Sequence, residues 1–537
     1  MTSRRALVAM SVILGVACAL KAVLLAWDVV PFNADEAVVA LMARHILQGE
    51  RPWFFYGQAY MGSLDAYLVA GMFRLLGERV MAIRWVQMAL FLLTLATGYR
   101  LAWRLTGRRE IAVLTISLMA IPPVLLTLYT TASLGGYGEA LLIGNVLLWL
   151  ALRLGEDRER AGWWGLWGLV AGLGFWTFGL TLVYLAPAGL WLVWRRGARA
   201  RWGYLLAAVG FVLGSAPWWM GNVGKLEVGL AELLGSAVKS TATAGSWWGD
   251  VGLRAFNFFV FGVPALFGLR FPWSVSGPPL WMAVWVLPIY LGALWYGARR
   301  PWKRAQGRRE PGRAANCRWL LWGVWGTLFL GFILTPFGGD PSGRYFLPLY
   351  LPLFIFTAQA LAALRLHLGR WVWGLWSGLI IFNLIGTLQA VRIYPPGITT
   401  QFEAITQVDH RYDQVLMEFL HTHHGTRGYA NYWVTYPIAF LSKEEIILVP
   451  HLPYKADLRY TSRDNRYAPY GELVNDSPTV VYVTTNHPAL DQMLRDRFRS
   501  VGVDFQEVQI GDYHVFYDLS RRVTTAELSL PWMDQHW

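Results

Sequence analysis

The sequence predicts a polytopic α-helical membrane protein followed by a C-terminal α/β domain. Three observations carry this reading. The 537 residues are 55% hydrophobic and only 15% charged, with 30 tryptophans and a mean hydropathy of +0.36, whereas soluble globular chains are roughly 45–50% apolar and about 25% charged. Apolar runs recur from Ala6 to Val391, separated by connectors rich in Arg. From Tyr394 onward, polar and charged residues return at ordinary globular density. This composition excludes a typical soluble enzyme, and it excludes intrinsic disorder, which needs low hydrophobicity and high charge. A net charge of +13 would suggest nucleic acid in a soluble chain. Here the arginines punctuate membrane runs, so the charge reads as topology and no nucleic-acid partner is expected. Cys18 and Cys317 stand alone, too few for a disulfide framework.

The first run, 6–27, is long enough to cross roughly 30 Å of hydrocarbon. It continues into Asp28 and Pro31 without a small-residue cleavage site, so it is expected to be a retained span. Further spans are expected at 80–103, 111–128, 140–154, 163–175, 180–194, 204–219, 280–296, 319–334, 346–364 and 372–391, about eleven in all, some short enough to require tilting or local thinning of the bilayer. Arg104, Arg108 and Arg109, then Arg153, Arg158 and Arg160, then Arg195 to Arg201, Arg299 to Arg318, and Arg365 with Arg370 all fall on the side of Arg4 and Arg5. The positive-inside rule makes that side the cytoplasm. The chain is then a multi-pass protein of the plasma (inner) membrane. Residues 1–393 form its membrane body, with an outer loop at 28–79, and residues 394–537 form a soluble extracytoplasmic domain.

The outer loop is too long for a simple connector. Asn33 is placed to cap a helix, with Glu36 closing a capping box and Gly49 stopping it. A second helix puts Leu64, Leu68, Met72 and Leu75 on one face with Asp65 off it, a pattern suited to lying along the interface. Trp247, Trp248 and Trp273 in the outer stretch 221–273 suit interfacial anchoring. The tail reads as helix 412–421, strand 428–432, helix 435–441, strand 446–450, strand 479–484, helix 488–498, and strands near 504–510 and 513–518. At about 130 residues such a domain can bury its own core.

Asp35 and Glu36 follow the first span at once, in Phe32-Asn33-Ala34-Asp35-Glu36-Ala37. Carboxylates in a first helical turn favour the helix dipole, and Glu36 also suits the capping box. A carboxylate at the membrane surface is equally suited to act as general base towards an acceptor hydroxyl. Glu139 heads an apolar span after Gly135-Gly136-Tyr137-Gly138, where a charge is costly unless it meets a wet cavity or a partner. Arg344 precedes a span in Asp340-Pro341-Ser342-Gly343-Arg344-Tyr345. It suits phosphate binding, snorkelling or an ion pair with Asp340. Lys21, near the outer end of the first span, either snorkels or meets a carboxylate. His421, His423 and His424 read as a helix end beside Gly425; no second ligand cluster completes a zinc pattern. No Walker A or dinucleotide fingerprint is present.

An acidic pair just outside the first span, a long first loop with amphipathic helices, and a multispan body with an outer tail resemble the GT-C superfamily of glycosyltransferases. Within it the family 39-like branch is nearest, which includes protein mannosyltransferases and the aminoarabinose transferase of lipid A. The resemblance implies a polyprenyl-phosphate sugar as donor and a lipid, glycan or protein acceptor outside the cytoplasm. It implies a catalytic set of Asp35 as base, with Glu36 and Glu139 orienting acceptor or base, and inversion at the anomeric carbon. It assigns the leaving phosphate to Arg344 beside Tyr345. Where the family often has Lys-Pro-Pro, this chain has Tyr56-Gly57-Gln58-Ala59-Tyr60, and Tyr56, Gln58 and Tyr60 become the donor-binding candidates, unless the tyrosines are only interfacial anchors. The family includes metal-independent members; the resemblance leaves room for a divalent cation near Asp35 and requires none. A transporter or flippase of a lipid-linked sugar is the alternative, for which inverted repeats and helices broken at mid-membrane would be the signs.

Overall fold

The structure, a computed structural model, describes residues 2–155, 161–235, 246–299, 311–393 and 395–533. The expected connector arginines Arg158 and Arg160, and those from 300 to 309, lie outside the described residues. The chain forms two compact units. One comprises Met1–Trp27, Ala59–Asp65 and Arg84–Val391; the other comprises Asp28–Gln58, Ala66–Ile83 and Arg392–Trp537. Most of the first outer loop thus groups with the tail.

The first unit is helical. Ser3–Ala26, Val80–Thr106, Tyr137–Leu154 and the Arg344–Arg392 run are long and apolar enough to cross a membrane, and Arg318–Leu334 is a shorter apolar helix. Glycine spacing determines how two other helices pack. Ala161–Thr177 and Arg201–Gly214 cross so closely that a Cβ at Gly168 would lie 2.0 Å from the Ala207 carbonyl oxygen, and one at Gly214 would lie 2.1 Å from that of Leu169. Small residues at such crossings let backbones touch where lipid supplies no hydrophobic drive. The expected span 111–128 is interrupted. Arg109–Ala120 ends before Pro122-Pro123, and Val124–Tyr129 restarts after them, because proline cannot donate to the helical ladder. The Asn383 amide donates to the freed Ile121 carbonyl at 2.9 Å.

The second unit is built on a five-stranded mixed sheet of order β2-β1-β3-β5-β4. Here β1 is Arg427–Tyr429, β2 Ile447–Val449, β3 Val481–Thr485, β4 Gln506–Ile510 and β5 Tyr513–Tyr517. Strand β1 lies parallel to β2 and β3, while β5 runs antiparallel to both β3 and β4. Val434, Ile438, Leu448, Val483 and Val515 share its core with Leu416 and Leu420. The helices Asp413–Thr422, Tyr432–Leu441 and Pro488–Ser500 fall close to the expected ranges. The expected strand 428–432 stops at Tyr429 because Asn431 caps the next helix, accepting from the Trp433 backbone N–H at 3.0 Å. His423 packs its ring on Phe419 and Tyr517 at a helix end, and no metal-holding group of three or more His, Cys, Asp or Glu occurs among the described residues.

Candidate functional site

In the second unit, Asp35 and Glu36 sit in the first turn of helix Ala34–Gln48. The Asn33 side chain caps it by accepting from the Glu36 backbone N–H at 3.1 Å, and Gly49 ends it in the left-handed region at φ +115°. Glu36 is fully buried. Asp35 is half-buried, and its Oδ1 accepts from the Tyr432 hydroxyl at 2.6 Å. Burial, with Asp35 beside it, pushes the Tyr432 phenol well above its ordinary pKa, so the phenol keeps its proton and donates. Around this pair stand Arg466, whose guanidinium lies 5.5 Å from the Tyr432 ring centre, and Asp464, whose carboxyl burial pushes up to about 7 against Arg466 and Lys455. Burial works against the charge on Arg466, but Tyr432, Asp464 and Asp35 outweigh it and raise its pKa.

Gln58 belongs to the same cluster. With its amide turned to satisfy both groups, its oxygen accepts from Arg466 at 2.8 and 3.1 Å. Tyr56 lies elsewhere in this unit. It donates to Glu50 at 2.5 Å and meets His45 Nδ1 at 2.9 Å, and its ring stacks on Tyr467. His45 Nε2 in turn meets Glu444 at 3.0 Å, and Arg44 bridges Glu78 and Glu444. Tyr56 therefore belongs to a polar network tying helix Ala34–Gln48 to the tail.

In the first unit, Glu139 is buried one turn into Tyr137–Leu154, after Gly135 and Gly136, both with φ near +80°, a region open to glycine at little cost. Its neighbour is Asp65, which the sequence pattern set aside as the polar side of an amphipathic helix. Asp65 is only 3% exposed and accepts from Ser133 and, at 3.2 Å, from Gln87. Burial pushes its carboxyl up, opposed by hydrogen bonds from Ser133, Glu139 and the backbone of Gly136 and Gly135. On the helix of the expected leucine face, Leu68 and Leu75 are exposed, while Val69, Ala70 and Phe73 are buried.

Arg344 Nε pairs with Asp340 at 2.6 Å, and its guanidinium lies against the Tyr345 ring. The expected ion pair is thus formed, in a loop whose Ser342 N–H donates to Asp340 at 2.7 Å. Tyr345 and Tyr60 line one apolar cavity of about 230 Å³ with Phe178, Phe337, Leu180 and Leu328. Tyr60 is carried there by a close approach: the Gly62 N–H donates to the Thr177 carbonyl at 3.1 Å, and a Cβ on Gly62 would meet the Trp176 carbonyl oxygen at 2.5 Å. Lys21 neither snorkels nor pairs with a carboxylate. At 3% exposure it donates to the Thr130 carbonyl at 2.6 Å and to the Thr130 and Thr131 hydroxyls at 2.9 and 2.7 Å.

Sequence reasoning missed Tyr432, Arg466, Asp464 and Asp65. The burial of Asp65 had one signal, a carboxylate opening an apolar helix. The tail residues had none, being distant in sequence from Asp35.

Residues 63–220 match the family described as dolichyl-phosphate-mannose-protein mannosyltransferase. Over 243 residues the chain is 28% identical to the undecaprenyl phosphate-alpha-4-amino-4-deoxy-L-arabinose arabinosyl transferase 2 of Pseudomonas fluorescens (strain Pf0-1), spanning 42% of this chain but only 36% of that relative's length. Among solved structures, ArnT from Cupriavidus metallidurans bound to undecaprenyl phosphate aligns with a TM-score of 0.57 at 14% identity, covering 96% of this chain and 98% of its own. The apo oligosaccharyltransferase of Archaeoglobus fulgidus aligns at 0.51 and 12% identity, covering 90% of this chain and 70% of its own. At these identities the structural likeness is one of fold. The chain is thus similar over part of its length to mannosyltransferases and an aminoarabinose transferase, and shares its fold with ArnT and the oligosaccharyltransferase.

Proposed function

We propose that the chain is an integral-membrane glycosyltransferase that moves a sugar from a polyprenyl-phosphate donor to an acceptor hydroxyl on a lipid, glycan or protein. The amino terminus lies in the cytoplasm of the cell, about eleven spans cross its inner membrane, and the tail 394–537 lies on the outer side. The observation that carries this reading is Asp35: a carboxylate one turn into the helix that follows the first span, in a chain of GT-C fold, held by a phenol that keeps its own proton.

Asp35 takes the proton of the acceptor hydroxyl as its oxygen attacks the anomeric carbon from the face opposite the phosphate. The new C–O bond forms as the bond to phosphate breaks, so the configuration inverts. The departing phosphate takes the electron pair and needs positive charge rather than a proton, which Arg344 supplies from its loop. The apolar cavity beside Tyr60 and Tyr345 suits a prenyl chain, and Glu36 and Glu139 orient the reacting groups. The bound undecaprenyl phosphate of the Cupriavidus ArnT supports a lipid-linked donor here.

Purified chain in detergent is offered radiolabelled undecaprenyl-phosphate aminoarabinose and polyprenyl-phosphate mannose with an outer-membrane lipid or protein extract. Transfer of label to the extract supports the reading. Passage of intact donor across proteoliposomes, with no bond broken, would replace it with the flippase alternative.

A further inference from the structure

We propose that Tyr432 is a positioning residue for Asp35, holding one carboxylate oxygen so that the other alone faces the acceptor hydroxyl. The inference rests on the reading of Asp35 as the base. A general base is efficient only when the oxygen that takes the proton is fixed in line with it, and a carboxylate at a helix start turns freely unless something binds it. Here the Tyr432 hydroxyl donates to Oδ1 at 2.6 Å, the short distance of a charge-assisted bond. Oδ2 is left to the proton it receives as the acceptor oxygen joins the anomeric carbon and the phosphate departs with its electron pair.

Tyr432 is suited to this role because its surroundings hold it. It is 3% exposed, and its ring lies edge-on to Trp433 at 5.2 Å and Tyr436 at 5.4 Å. Its helix is tied to the sheet through Asn431, which caps the helix and donates to Thr485 of β3 at 2.9 Å. Arg466 closes the other side. Its guanidinium lies against the Tyr432 ring, and its backbone N–H donates to the Tyr436 hydroxyl at 2.6 Å, which itself donates to the Asp464 carbonyl at 2.9 Å. Gln58, from the segment following the Asp35 helix, grips the same guanidinium. The titratable and charged groups that surround Asp35 are Glu36 on its own helix, Tyr432 on the tail helix, and Tyr454, Asp464 and Arg466 from the tail loops.

Four full-length purified chains test this: wild type, Tyr432→Phe, Asp35→Asn and the double variant, with Tyr517→Phe as a control that removes a tyrosine hydroxyl at the end of β5. Phe keeps the buried ring, so the fold is retained. The Asp35 carboxyl is titrated by infrared difference spectroscopy against Asp35→Asn, which needs no substrate, and sugar transfer is followed from undecaprenyl-phosphate aminoarabinose across pH. Removing a hydrogen bond to the ionised carboxylate should raise its midpoint, and the acid limb of kcat, by on the order of one pH unit. The kcat should fall about tenfold with KM for the donor unchanged, Tyr517→Phe should do neither, and the double variant should lose no more than Asp35→Asn. A midpoint and acid limb unmoved in Tyr432→Phe, beside an inactive Asp35→Asn, would overturn this proposal alone. Full transfer by Asp35→Asn would overturn the base assignment and this proposal with it.

Discussion

The Gln87 side-chain amide donates to Asp65 Oδ1 at 3.2 Å, while Ser133 donates to the other oxygen. Both donors are buried, so removing the acceptor takes one hydrogen bond from each. Asp65→Ala is expected to destabilise the chain by about 1–3 kcal/mol, and Asp65→Asn, which keeps one acceptor oxygen, by less. Thermal unfolding midpoints in one detergent check the order; midpoints equal to wild type in both variants would show that these bonds contribute nothing net.

Asp464 supplies a pH-dependent prediction. Its folded carboxyl titrates near 7 because it is buried, against about 3.9 when unfolded. Between those values the unfolded chain ionises while the folded one stays protonated. Its contribution to stability is therefore fully present below about pH 4 and is lost as pH rises towards 7. Asp464→Asn removes this dependence, so its stability relative to wild type should rise across that window and level off above it. Melting curves from pH 4 to 8 check this, and a constant difference between the two chains would contradict it.

The proposed topology rests on the arginine connectors. In a chain whose own cysteines are replaced by Ser, a membrane-impermeant thiol reagent should label Ser462→Cys in intact cells, and Arg199→Cys only after permeabilisation. The reverse pattern would invert the chain in the membrane and move Asp35 to the cytoplasmic face.

The secondary structure of the tail was legible because its helices and strands bury alternating or stripe-wise faces against one core, as in any soluble domain. Its limits show at Asn431, whose capping role shortens the preceding strand. The membrane body was legible as runs but less so in detail. Pro122-Pro123 marked a break that hydropathy alone passes over. Asp65 was less legible, because the amphipathic pattern put it off the leucine face of an interfacial helix, whereas it is buried with Ser133 and Gln87 as donors. The cap at Asn33 and the stop at Gly49 were readable since both act within a few residues. The hydroxyl on Asp35 was not, since Tyr432 is 397 positions away and no local pattern links them.

Arg344 is already paired with Asp340 through Nε, which orients the guanidinium fork without neutralising a ligand's whole demand for donors. Arg344→Lys keeps the charge and loses the fork, so donor KM should rise about tenfold, and Arg344→Ala should add a further loss. Wild-type turnover in both variants at all donor concentrations would reduce Arg344 to a structural ion pair.

The central claim is that Asp35 removes the acceptor's proton, and Asp35→Asn tests it most directly. Asn preserves size and the helix start, so a capping or dipole role predicts a loss of roughly 0.3–1 kcal/mol in stability with activity intact. A general base predicts a rate lowered by about 10²–10⁴-fold with donor affinity kept. The measurement is single-turnover sugar transfer by folded Asp35→Asn beside wild type and Glu36→Gln, with donor affinity determined on the same samples. The account predicts the hundredfold or greater loss in Asp35→Asn at unchanged donor affinity; transfer by Asp35→Asn at near wild-type rate would contradict it and move the search for the base to Glu139.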